Sequence, residues 1–192
     1  YQIYSSLIEQ GCDVFLEEQK KLENDVQFYG LTFSNDVHVV FNGVDLKTES
    51  TIKETFYKIK PSGSTCYYDA VCKAIEILDS AYDSNDEVIM CILTDGMDNA
   101  SATPMATMVT EIKKRKDIGW NIVMIGTDDI DTLNVADQYG ISRNSSLTVG
   151  RTVGEQQAMY RNLNAGLDRV RGGVSNNVDF TDQERAGCYQ PS

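Results

Sequence analysis

Two short polar stretches carry the side chains best suited to chemistry. Residues 62–65 read Ser-Gly-Ser-Thr, and residues 94–99 read Thr-Asp-Gly-Met-Asp-Asn directly after an unbroken apolar run at 88–93. A hydroxyl from one loop and a carboxylate at a strand end can together hold a hard divalent cation, because Mg²⁺ takes a few oxygen ligands and keeps several waters. Thr65 and Asp95 are the candidate metal ligands, with Ser64 and Asp98 beside them in supporting positions. The same residues have a plain structural reading, in which Thr65 caps a helix and Asp95 sits in an ordinary turn. Spacing alone leaves both readings open.

Other chemistries lack their residues. A phosphatase of the D-x-D type needs two aspartates two positions apart, whereas Asp95 and Asp98 are three apart. No G-x-G-x-x-G follows a strand pattern and no G-x-x-x-x-G-K-[ST] occurs, so dinucleotide and P-loop phosphate binding have no support. His38, the one histidine, lies inside a strand pattern, and a Ser-His-Asp arrangement would need it in a loop. A catalytic role is therefore not expected. Asp128, Asp129 and Asp131 lack the D-x-D-x-D-G ligand series and read as a solvated acidic loop.

Composition narrows the partners. The formal charge of −12 argues against nucleic acid and anionic membranes and favours cations or basic protein surfaces. No apolar run reaches the roughly 18 residues of a membrane span. The five cysteines show no C-x-x-C spacing and are odd in number. They read as reduced core thiols of an intracellular, cytoplasmic protein and give no zinc site. In that setting the sequons at Asn99 and Asn144 are chance matches.

The elements that must position Thr65 and Asp95 follow from periodicity. Leu7, Ile8, Val14, Phe15 and Leu22 predict an amphipathic helix over Tyr4–Asn24. Val26–Phe33 and Val37–Phe41 read as two strands of a hairpin around Ser34-Asn35-Asp36. A short helix is expected within Leu46–Ile59, and a longer one over Cys66–Tyr82, at whose entrance Thr65 falls. The run at 88–93 reads as a strand buried on both faces, which implies a mostly parallel sheet covered by helices. Pro104–Lys116 then reads as a helix, Trp120–Gly126 as a buried strand, Thr132–Tyr139 as a helix and Ser146–Val149 as a short strand. Val153–Arg171 is the last predicted helix, stopped by Gly172-Gly173. From Val174 onward the pattern is lost and a loose tail is expected, giving a domain over 1–173 and a tail over 174–192. The fold class is α/β: a doubly wound, mostly parallel sheet flanked by helices, with one antiparallel edge strand. Ligands of such sheets bind beyond the carboxyl ends of the strands, where Asp95 lies.

The stretch Gly63-Ser64-Thr65-Cys66-Tyr67-Tyr68-Asp69-Ala70 resembles the G-G/S-T-x-L-Y-D-A loop of von Willebrand factor type A domains, and Ile92-Leu93-Thr94-Asp95-Gly96 resembles their L-T-D-G strand end. The segments 15–20, 31–34 and 41–45, and Gly119-Trp120, are similar to compact, intracellular members of that family. The resemblance covers roughly Tyr4 to Gly173. It implies a metal-ion-dependent adhesion site in which Thr65 and Asp95 match the family's Thr and Asp ligands, with Mg²⁺ completed by an acidic group of a partner protein. The family's third element, a D-x-S-x-S motif after the first strand, occurs nowhere in the sequence and is expected just before Tyr1, together with that strand. The resemblance therefore implies a non-catalytic, Mg²⁺-dependent protein-binding module. The alternatives are a metal-free structural or assembly component, and an accessory subunit of an ATPase or chaperone complex.

Overall fold

The computed structural model describes residues 13–21, 25–59 and 63–190. Residues 13–20 form helix α1, and the remainder of the helix expected over Tyr4–Asn24 lies outside the described residues or, at Lys21, in a turn. The other elements are β1 (Gln27–Phe33), β2 (Val37–Asp45), α2 (Ile52–Tyr57), α3 (Tyr67–Ala81), β3 (Ile89–Thr94), α4 (Met105–Asp117), β4 (Asn121–Thr127), α5 (Thr132–Gln138), β5 (Ser146–Val149), α6 (Val153–Arg171) and α7 (Asp182–Cys188). Strands β3, β4 and β5 pair in parallel in that order, and β1 and β2 form an antiparallel pair.

β4 shows why the sheet is wound on both faces. Its side chains alternate, as a pleated strand requires. Val123 and Ile125 enter one core cluster with Leu147, Met159, Leu163 and Leu167, while Ile122 and Met124 enter a second with Val71, Ile75, Met108 and Ile112. Strand β4 is buried throughout but for Thr127. β3 differs from the expectation of a strand buried on both faces. Met90, Ile92 and Thr94 are buried, but Leu93 on the other face is 45% exposed. The reason is position: β3 pairs with β4 on one side and, among the described residues, with nothing on the other.

The expected single sheet is likewise divided among the described residues into a pair and a triplet of strands. Both halves nevertheless share one layer. Phe28 of β1 and Ile89 and Cys91 of β3 pack on the first cluster, and Phe33 of β1 joins Met90 and Ile92 on the second. Strand β2 runs on to Asp45, beyond the expected Phe41, and carries irregular pairing where Val40 and Gly43 are extra residues opposite β1. Such bulges twist an edge strand away from foreign strands.

The expectation of a loose tail from Val174 is corrected by the structure. Val178, Phe180 and Cys188 are buried in the first cluster, and α7 opens with a capping box between Thr181 and Glu184. Arg169 holds Glu184 through two guanidinium bonds of 2.8 and 3.0 Å. The tail is ordered by these tertiary contacts, which leave no periodic trace in a short segment.

Candidate metal centre

β3 delivers Asp95 to the carboxyl end of the sheet, and Thr94 then folds the chain back. The Thr94 hydroxyl donates to the Gly96 carbonyl at 2.8 Å and accepts from the Gly96 amide at 3.2 Å, which turns the exposed Asp95 outward. Thr65 reaches the same place from the loop before α3. That loop turns at Gly63, whose φ of +84° suits glycine. It is tied to the β1–β2 turn by the Ser64 amide donating to Asn35 Oδ1 at 2.8 Å and the Cys66 amide donating to the Ser34 carbonyl at 2.9 Å.

The two loops meet at Gly96. A Cβ placed there would lie 3.3 Å from Thr65 Oγ1, so glycine lets the threonine hydroxyl come against the turn that bears Asp95. Four further residues lock the loops together. Asn99 Oδ1 accepts the Thr65 amide at 2.8 Å, and the Asn99 amide donates to the Thr65 carbonyl at 2.9 Å. Asp98 Oδ1 accepts the Tyr68 amide at 3.2 Å and the Ser101 hydroxyl, and Ser101 Oγ accepts the Asp69 amide at 3.1 Å. The Asp69 carboxylate in turn accepts the Ala102 and Thr103 amides at 2.9 and 2.8 Å. Hydrogen bonding by the Thr103 side chain, opposed by partial burial and joined by the two amides, holds Asp69 below the usual aspartate range.

These bonds answer the plain structural reading of Thr65. The N-cap position of α3 belongs to Cys66, with no side-chain cap of its own. Asp98 and Ser101 satisfy the free amides of the first turn from across the loop, as N-terminal helix amides require. The Thr65 hydroxyl is thereby left available. Among the described residues neither Thr65 Oγ1 nor the Asp95 carboxylate makes a hydrogen bond or ion pair. Both are hard oxygen donors, which fits Mg²⁺ as far as two ligands go. Ser64 is exposed, with its amide committed to Asn35, and Asp98 is committed to the start of α3. Tyr67, Tyr68 and Tyr139 cluster with ring centroids 5.0–6.2 Å apart, Tyr68 edge-on to the other two, and burial pushes the Tyr67 hydroxyl well above the ordinary tyrosine range.

The acids of the loop after β4 are occupied elsewhere. Arg151 Nε donates to Asp128 at 2.8 Å and its guanidinium also pairs with Asp129, while Asp131 caps α5 by accepting the Asn134 amide at 3.3 Å. His38 is exposed on β2. Among the described residues no three His, Cys, Asp or Glu side chains converge as a metal cluster. Asn35, Asp69, Asn99 and Ser101 are the residues that sequence reasoning passed over as parts of this centre. The signal for them was faint: Asp69 belongs to the quoted loop motif, and Asn99 and Ser101 follow Asp95 at short spacing.

No protein-family model and no curated protein matches the chain. Solved structures do. The chain superimposes on proximal thread matrix protein 1 from the mussel byssus with TM-score 0.67 at 20% identity, over 84% of this chain and 42% of that one. A form of the same mussel protein with a zinc-occupied MIDAS motif matches with TM-score 0.62 at 23% identity, over 80% of this chain and 41% of the other. The pilus adhesin SpaC from Lactobacillus rhamnosus GG matches with TM-score 0.63 at 13% identity, over 84% of this chain and 27% of that one. The chain thus spans less than half the length of each of these proteins. Parallel β3–β5 wound by helices on both faces, with the β1–β2 pair beside it and Thr65 against the Asp95 turn, is a von Willebrand factor type A-like fold.

Proposed function

We propose that this chain is a non-catalytic protein-binding module that works through a divalent cation at the top of its sheet. The observation that carries this reading is the meeting of Thr65 Oγ1 with the Gly96 turn while the Asp95 carboxylate stands free and exposed. Two oxygen ligands make a weak site for Mg²⁺, which takes six oxygen ligands in all, so the remaining positions fall to water and to the partner. The cation then takes its last ligand from an acidic side chain of the partner protein. When bound, the cation supplies Lewis-acid attraction for that carboxylate. The chain's own residues hold the geometry: Asp95 supplies charge, Thr65 a neutral oxygen, and the lock from Asp98 to Thr103 fixes the space between them. The zinc-occupied MIDAS motif of the mussel protein, which has a similar fold, is in keeping with a divalent ion.

The experiment is calorimetric titration of the full-length protein with Mg²⁺ and Zn²⁺, alongside its Asp95→Ala variant. Saturable binding that weakens at least about tenfold on losing the carboxylate is expected, since each tenfold corresponds to about 1.4 kcal/mol. Equal affinity in the two proteins refutes the reading.

A second reading is a metal-free structural or assembly component. The observation favouring it is the similarity to a thread matrix protein. It expects self-association that chelators leave unchanged, measured by analytical ultracentrifugation with and without EDTA.

A further inference from the structure

We infer that Asn99 is the positioning residue of the metal centre, a clamp that fixes Thr65 at its working distance from Asp95. The inference rests on the reading of Thr65 and Asp95 as ligands and adds a residue that the D-x-S-x-S, Thr and Asp pattern does not contain.

Asn99 makes two bonds to one residue. Its side-chain Oδ1 accepts the Thr65 amide at 2.8 Å and its own amide donates to the Thr65 carbonyl at 2.9 Å, so both backbone polar groups of Thr65 are held by the same partner. Asn99 stands four positions after Asp95, with the intervening turn closed by the Thr94 hydroxyl on Gly96. Thr65 is therefore tethered to the very turn that presents the carboxylate, and the approach of its hydroxyl to Gly96 is set by that tether. Among the described residues no other side chain accepts the Thr65 amide. The neighbouring bonds act one step further on: Asp98 and Ser101 hold Tyr68 and Asp69, within α3 itself.

The clamp also gives the Asn99-Ala100-Ser101 sequon a reason other than glycosylation. Asn99 uses its carbonyl oxygen on Thr65, and Ser101 uses its hydroxyl between Asp98 and Asp69. Asn99 Oδ1 and the Ser101 hydroxyl both join the two loops.

Asn99 is exposed, so its truncation opens no cavity, and the Asn99 amide bond to the Thr65 carbonyl survives any side-chain change. Asn99→Ala removes the acceptor, whereas Asn99→Asp keeps an oxygen in its place. The test has two arms. In the metal-free protein, amide hydrogen exchange at Thr65 followed by NMR should quicken about tenfold in Asn99→Ala and stay near the native rate in Asn99→Asp, a hydrogen bond's usual net effect. Exchange in β4 should not change, which separates the clamp from general loosening. In the second arm, Mg²⁺ titration of the full-length protein should show affinity lowered in Asn99→Ala and restored in Asn99→Asp. Unchanged Thr65 exchange in Asn99→Ala overturns the clamp whatever the metal does. Quickened exchange with unaltered Mg²⁺ affinity overturns its role at the centre. Absence of Mg²⁺ binding in the unsubstituted protein refutes the metal reading, and with it the positioning role, while the exchange arm still decides the clamp.

Discussion

Asp69 shows how one carboxylate can tie a functional loop to solvent conditions. Its pKa is lowered in the folded protein by the Thr103 side chain first, opposed by burial, with the amides of Ala102 and Thr103 adding to the lowering. A lowered folded value means that the stabilisation is fully present above the unfolded-chain pKa of about 3.9 and is lost as pH falls through the folded value. Asp69→Asn should therefore destabilise the protein at neutral pH and make little difference at about pH 2. Urea denaturation of both proteins at the two pH values checks this, and a constant difference would remove Asp69 from the lock. Thr65 and Asp95 differ from Asp69 in kind: their side chains are left free while the residues around them are spent on structure.

At the level of elements, the tail and β5 depend on each other. The Phe180 amide donates to the Asn144 carbonyl just before β5, and the Gly150 amide donates to the Cys188 carbonyl just after it. Arg185 donates to the carbonyls of Ser146, Arg143, Asn144 and Phe180. The tail thus covers both ends of an edge strand that would otherwise present open backbone groups. Phe180→Ala should cost roughly 3–5 kcal/mol, the usual range for a buried phenylalanine. The unfolding transition should stay single, because the tail shares the core of β4 and α6. A cost below about 1 kcal/mol in urea denaturation would show that the tail is an appendage.

For the whole molecule the deciding feature is the divided sheet. β1 and β3 lie in one layer between the same two clusters, yet each pairs on only one side among the described residues. A strand paired on one side keeps one row of amides without a ladder partner, so its amides open more readily than those of a central strand. Amide exchange should accordingly be faster in β1 and β3 than in β4, which is paired on both sides. Exchange in β1 and β3 as slow as in β4 would show that both strands are paired on two sides in solution.

Sequence by itself determined the periodic parts. The runs over β4, α3, α4 and α6 place the helices and strands, because apolar spacing of 3.6 or 2 is a local property that burial enforces residue by residue. The Thr-Asp-Gly end of β3 and the Ser-Thr loop before α3 were legible for the same reason, as was their resemblance to a family that joins them. Tertiary structure alone decided the rest. Val178, Phe180 and Cys188 follow no period, and their burial depends on a surface offered by β4, β5 and α6. The exposure of Leu93 depends on what lies beside β3, which no run of six apolar residues reveals. The bond from Asn99 to Thr65 spans 34 positions, and only the folded chain brings its two ends to 2.8 Å.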